Sequence, residues 1–297
     1  MSAFLNTSSP IMLQQFRFRL LNNITMYSTL SLDAVALQYI GYKILLPTDN
    51  PITIIVELIN MIKTLLTAIA IILLSSCAQS YNLKSPPLYS IKPIKQDDGW
   101  PESWWEPRHK EKIQQAKHAE IDLLMLGDSI TQGWENQGQA VWQRFYQNKK
   151  TFNLGFNGDR TEHVLWRLRH GAVDNLKPKL IVLMIGTNNT GHRMDPAAHT
   201  AKGISAIITE LRKRLPQSKI LLLGIFPRNA SPYNDMRKRN RTINQMISKF
   251  EDKEFIYYLN INHVFLDAHK ALHEDIMPDL LHPNELGYKR WAEAMEP

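Results

Sequence analysis

Four short clusters hold the residues best suited to chemistry: Gly127-Asp128-Ser129, Gly155-Phe156-Asn157-Gly158-Asp159, Gly186-Thr187-Asn188-Asn189 and Asp279-Leu280-Leu281-His282-Pro283. A serine hydroxyl is a weak nucleophile until an adjacent base accepts its proton, so Ser129 needs a partner. His282 is the candidate base, since imidazole takes up and returns a proton near neutral pH. Asp279, three residues earlier, can hold the imidazole in one tautomer and stabilise its charged form. An oxyanion needs donors fixed in advance. The Ser129 and Gly155 backbone N–H groups and the Asn188 side-chain amide are the candidates. Glycine at 155 would also allow the backbone close to the reacting group. Together these residues point to acyl transfer through a serine.

Something must bring clusters more than 150 positions apart to one place. Apolar runs at 121–126, 152–154, 180–185, 220–223 and 255–259 read as strands. Amphipathic helical spacing fits 160–170, 196–215, 234–250 and 284–295. The first of these helices opens on a capping-box pair, Asp159 and Glu162, and ends before Gly171. Apolar strands alternating with helices predict an α/β fold with a parallel sheet covered on both faces. In such sheets ligands bind beyond the carboxyl ends of the strands, where the first three clusters fall.

Gly127-Asp128-Ser129-Ile130, Gly155, Asn188 and Asp279-x-x-His282 resemble the four sequence blocks of the GDSL, or SGNH, hydrolases. The resemblance runs from about Trp100 to Met295. Asn-Leu-Gly-Phe-Asn-Gly-Asp-Arg-Thr-Glu-His-Val-Leu-Trp-Arg-Leu at 153–168 and Met-Ile-Gly-Thr-Asn-Asn at 184–189 are similar to the branch of platelet-activating factor acetylhydrolase catalytic subunits and bacterial acetylesterases. The resemblance implies a flavodoxin-like three-layer α/β/α sandwich with a five-stranded parallel sheet. It also implies ester hydrolysis through an acyl-enzyme on Ser129, no metal and no cofactor. Asp279 and His282 would complete the triad, with Gly155 and Asn188 as oxyanion donors. Asn189 stands where the commonest third block has aspartate, as in the acetylhydrolase-like branch. The chain stops at Pro297, where such domains often extend the last helix, so that helix is expected to bury less apolar surface.

The composition changes near Cys77. A charged start at Met61-Ile62-Lys63, an uncharged stretch from Thr64 to Leu74 and small residues before Cys77 match a secretory signal peptide. The apolar stretch is shorter than the ~20 residues of a spanning helix. Leu74-Ser75-Ser76-Cys77 looks like a bacterial lipobox, which would lipidate Cys77. The expected organisation is a non-native or overextended segment over 1–60, a signal peptide over 61–76, a tether over 77–99 and the hydrolase domain over 100–297. Localisation would be the cell envelope, lipid-anchored and extracytoplasmic, on the periplasmic or the surface-facing side. The single cysteine excludes an internal disulfide and a multi-thiolate zinc site. A formal charge of +7 without an aromatic-interleaved basic cluster gives no case for nucleic acid.

Several other features have two readings. Trp100, Trp104 and Trp105 fit an N-terminal flap on the core or a sugar-binding surface. His269 and His273 could share a helix face near His263 and Asp267, as a metal site or a solvated face. Arg237 to Arg241 reads as a solvated basic face, with contact to an anionic surface or glycan as the alternative. Asn240 and Asn244 read as structural, and Arg228 as a turn residue or one at the site mouth. The expected function is hydrolysis of short acyl esters, acetyl foremost, of carbohydrates or other small alcohols. Alternatives are a phospholipid or platelet-activating-factor-like acylhydrolase and a catalytically idle glycan-binding lipoprotein. The sequence assigns no oligomeric state.

Overall fold

The five apolar runs form β1 (Leu123–Gly127), β2 (Thr151–Gly155), β3 (Leu180–Met184), β4 (Lys219–Leu223) and β5 (Ile256–Leu259). This is a computed structural model, and it describes residues 51–79, 87–96 and 104–296. All four strand pairings are parallel, in the order β2-β1-β3-β4-β5. Side chains of successive strand residues point to opposite faces. Leu124, Leu126, Ile181, Leu183, Ile220 and Leu222 therefore enter one core, and Met125, Val182, Met184 and Leu223 enter the other. Each fully buried side chain of this kind contributes about 1.5–3 kcal/mol.

Helices cover both faces. The first core is closed by α2 (Trp105–Ala116), α5 (Thr161–Arg169), α7 (Ala197–Arg214) and α8 (Asp235–Ile247). The second is closed by α4 (Gln139–Phe145) and α9 (Glu285–Met295), around Trp134, Tyr288 and Trp291. Two short helices, α3 (Ser129–Gln132) and α6 (Thr187–Arg193), start directly after β1 and β3. The result is the expected three-layer α/β/α sandwich. Its strand order reverses at β1 and β3, which is where doubly wound sheets open a crevice.

The predicted capping box is not formed. Arg160 is the N-cap of α5, and its backbone N–H donates to His163 Nδ1 at 3.1 Å. Asp159 and Glu162 are buried in ion pairs instead. The tether is shorter than its composition implies. Residues 87–96 are seated on the domain, where Ser90 Oγ donates to His199 O at 2.6 Å and Thr161 Oγ1 donates to Ser90 O at 2.9 Å. A Pro-, Ser- and Lys-rich stretch looks flexible by composition, yet partners distant in sequence fix it.

The chain divides into two units after Ser85. In the first, α1 (Pro51–Gln79) runs without a break through Met61 and Cys77. It begins ten residues ahead of the charged start that the apolar pattern marked. The Cys77 side chain, residues 1–50 and Trp100 lie outside the described residues, as do the expectations attached to them.

Candidate active site

The ends of β1 and β3 and the loop before α9 converge on one cleft. Ser129 opens α3, and Asp128 before it caps that helix, accepting from the Ile130 N–H at 3.0 Å. The Ser129 hydroxyl is 2.8 Å from His282 Nε2. On the far side of the ring, His282 Nδ1 is 2.5 Å from Asp279 Oδ2. Asp279 Oδ1 also accepts the Leu281 and His282 backbone N–H groups at 3.0 and 2.7 Å. The loop that does this is tightly wound: Leu280 has φ 58°, a costly conformation for a bulky residue and one that tends to occur at functional sites. Burial opposes ionisation of Asp279, but the donors from His282 and Leu281 outweigh it and hold the carboxyl below its usual range.

Asn188, near the start of α6, is buried and lines the same cleft. One amide hydrogen of Asn188 goes to Asp159 O at 3.0 Å, which orients the group and leaves the second hydrogen for a ligand. Ser129, His282, Asp279 and Asn188 thus meet as the sequence implies.

Gly155 does not join them. Its N–H donates to Asn153 Oδ1 at 2.7 Å. A Cβ there would lie 2.1 Å from Gln132 N, so the glycine lets α3 pack against β2. Gly158, three residues on, lines the cleft with φ 73°, in the left-handed region that favours glycine. Among the described residues the Gly158 and Ser129 N–H groups have no hydrogen-bond partner. Sequence reasoning passed over Gly158 although it stands in the quoted cluster; its signal is the Asn157-Gly158 pair, a turn that exposes an N–H. Gln132 Oε1 holds that turn through the Asn157 N–H at 2.8 Å.

A buried polar layer supports the cleft from beneath. Asp159 accepts from Trp105 Nε1 at 2.7 Å and from Arg167 Nε at 2.8 Å, and the Asp159 and Arg167 side chains are fully buried. Trp105 is 1% exposed, which settles it as core and removes it from any sugar-binding surface. Asn189 accepts from the Thr161 N–H at 3.0 Å and donates to Glu162 Oε2 at 3.2 Å and Asp195 Oδ2 at 3.1 Å. An aspartate there would oppose two carboxylates, which accounts for the amide at this position.

The remaining candidates fall elsewhere. Arg228 donates to Thr187 O at 2.8 Å and is absent from the cleft lining, so it braces the start of α6. Residues 266–283 are loop rather than helix, and His273 Nε2 pairs with Asp267 Oδ2 at 2.9 Å. Among the described residues no group of three His, Cys, Asp or Glu side chains is placed to hold a metal. Arg237 is buried, not solvated. Asn244 is structural, exchanging hydrogen bonds with the Ile225 N–H and C=O, both at 2.8 Å.

Burial raises the Asp128 pKa to about 7, against the pull of the Ile130 N–H. A carboxyl whose folded pKa exceeds its unfolded value destabilises the fold as it ionises. The fold should therefore lose stability on this account as pH rises from about 4 to about 7, by at most ~1.4 kcal/mol per pH unit. Asp128→Asn keeps the acceptor for Ile130. Urea titrations should show a shallower decline over that range in this variant; an unchanged slope would refute the assignment.

Residues 125–290 match the model of the GDSL-like lipase/acylhydrolase family. Human platelet-activating factor acetylhydrolase IB subunit alpha1 is 30% identical over 205 residues, 69% of this chain and 86% of that protein. The human alpha2 subunit is 35% identical over 187 residues, 63% of this chain and 79% of that protein. A solved GDSL-like lipase from Bacteroides thetaiotaomicron VPI-5482 aligns with TM-score 0.52 at 20% identity, covering 65% of this chain and 95% of that one, a likeness of fold. With a matched family model spanning the serine, asparagine and histidine clusters, the chain belongs to the GDSL-like lipase/acylhydrolase family and is a carboxylic ester hydrolase.

Proposed function

We propose that the protein is a serine esterase that removes short acyl groups, acetyl foremost, from a carbohydrate or similar polar alcohol. The observation that carries this reading is the continuous chain Asp279–His282–Ser129, opening on a cleft that Asn188 and Gly158 also line. Ser129 Oγ attacks the acyl carbon while its proton passes to His282 Nε2. Asp279 stabilises the resulting imidazolium. The Ser129 and Gly158 N–H groups and the Asn188 amide receive the oxyanion, each such donor being worth about 3–4 kcal/mol in the transition state. The imidazolium returns its proton to the leaving alcohol, and water then cleaves the acyl-enzyme by the same steps.

Support for the substrate is chemical. The cleft has a volume of about 620 Å³. Asn136, Gln137, Asn157, His192 and Asn284 line it, offering donors and acceptors to a hydroxylated alcohol. The relatives named acetylhydrolases favour a two-carbon acyl group. Their name also favours a second reading, an acetylated ether phospholipid. We further propose that Cys77 carries a lipid that holds the domain at the cell envelope, because Leu74-Ser75-Ser76-Cys77 follows a short apolar stretch.

A rate series on p-nitrophenyl acetate, butyrate and octanoate tests the acyl group. Acetate should exceed octanoate by at least about tenfold in kcat/KM; faster octanoate hydrolysis would refute the short-acyl reading. Acetate release from acetylated oligosaccharides, compared with an acetylated ether phospholipid, decides the alcohol.

A further inference from the structure

A second cavity, of about 380 Å³, lies under the loop after β4 and shares no lining residue with the catalytic cleft. Arg237, Arg241 and Lys270 line it, and no carboxylate does. Arg237 is 6% exposed, and its guanidinium donates only to main-chain oxygens: Asn229 O at 2.9 Å, Ala230 O at 3.2 Å and Lys270 O at 2.7 Å. Among the described residues none of the three cations forms a salt bridge. Burial and the neighbouring Arg241 charge both depress the Arg237 pKa, and Asp267 only partly offsets them. Asp267 is itself engaged by His273 at 2.9 Å and by the His269 and Ala271 N–H groups, both at 2.8 Å.

Arg241 and Lys270 are exposed at the mouth of the cavity and Arg237 is buried behind them, so three like charges edge a concave site without a carboxylate, and an anion there relieves their repulsion. The rest of the lining is neutral and hydrogen-bonding, with Gln245, Asn260 and the Tyr258 hydroxyl among it. A bare inorganic anion leaves those groups and most of the volume unused. A sugar ring with one carboxylate uses both, and the cavity lies within the ~300–1,000 Å³ range of small-molecule sites.

We infer that this cavity is a binding site for an acidic saccharide, its carboxylate held by Arg241 and Lys270 and its hydroxyls by Gln245, Asn260 and Tyr258. The inference does not rest on the esterase reading, since binding is measured without turnover. Unacetylated galacturonate oligosaccharides, matched neutral oligosaccharides and inorganic phosphate are titrated calorimetrically into the full-length protein. The galacturonate series should bind saturably, and at least about tenfold more tightly than the neutral series or phosphate. Arg241→Gln, on an exposed side chain, should weaken it about tenfold or more, and Tyr258→Phe severalfold. Both variants should melt at the parent temperature, which reports an intact fold. Absence of saturable binding, equal binding of neutral sugar or of phosphate, or binding unchanged in Arg241→Gln would each overturn the inference.

Discussion

Ser129→Ala should lower kcat on p-nitrophenyl acetate by about 10⁴- to 10⁶-fold, the scale seen when a triad nucleophile is removed. The effect is large because the hydroxyl oxygen is the atom that attacks, and nothing else in the cleft replaces it. Stability should hardly change. The substitution removes a single hydrogen bond, 2.8 Å to His282, from a solvent-open cleft and leaves Asp128 capping α3. His282→Ala should cost a similar factor, since without the base the hydroxyl keeps its proton. The double variant should be no slower than either single one, because residues that act as a unit are not additive. Parallel melting curves separate chemistry from folding, and turnover near the parent rate in either single variant would contradict the triad.

The largest loss of stability is expected from Arg167→Met. Arg167 is fully buried and holds Asp159 through Nε at 2.8 Å and Nη2 at 2.7 Å, with its guanidinium 4.0 Å from the Phe156 ring centroid. Removing it leaves a carboxylate with no opposing charge of that quality inside the core, at a cost of about 3–5 kcal/mol. For a domain of this size that is roughly 6–20 °C in Tm. The sign of the pH effect follows from the carboxyl. Burial raises the Asp159 pKa to about 6 even with Arg167 present, and loss of the cation raises it further. A neutral Asp159 needs no opposing charge, so the penalty should shrink as pH falls from 8 to 5. Arg167→Met combined with Asp159→Asn should recover much of the loss. Activity should fall as well, because Asp159 O positions the Asn188 amide at 3.0 Å. Thermal melts at pH 5 and pH 8 check this, and a penalty independent of pH would contradict the buried pair.

How much of this was legible in the sequence depended on how local each cause is. The sheet was legible because strands buried on both faces read as unbroken apolar runs, such as Leu180 to Met184. Ser129, Asn188, Asp279 and His282 were legible because each stands at the end of a run or in a short loop where chemistry is placed. Gly155 misled because two glycines three apart satisfy the same pattern. Only the packing of α3 on β2 shows that one makes room for backbone while the other faces the cleft. Arg237 lies in a run of cations, which reads as solvated until the carbonyl oxygens of Asn229, Ala230 and Lys270 are seen around it. Residues 87–96 and Trp105 were obscured for the same reason: their partners, Thr161, His199 and Asp159, are more than 50 positions away.

The most direct test of the central claim is covalent labelling with a fluorophosphonate, read by intact mass and tandem mass spectrometry of the folded protein. One adduct is expected, on Ser129, lost when the protein is denatured first and strongly slowed in His282→Ala. An unlabelled protein that still hydrolyses p-nitrophenyl acetate, or an adduct on another serine, would contradict the assignment of Ser129 as the nucleophile.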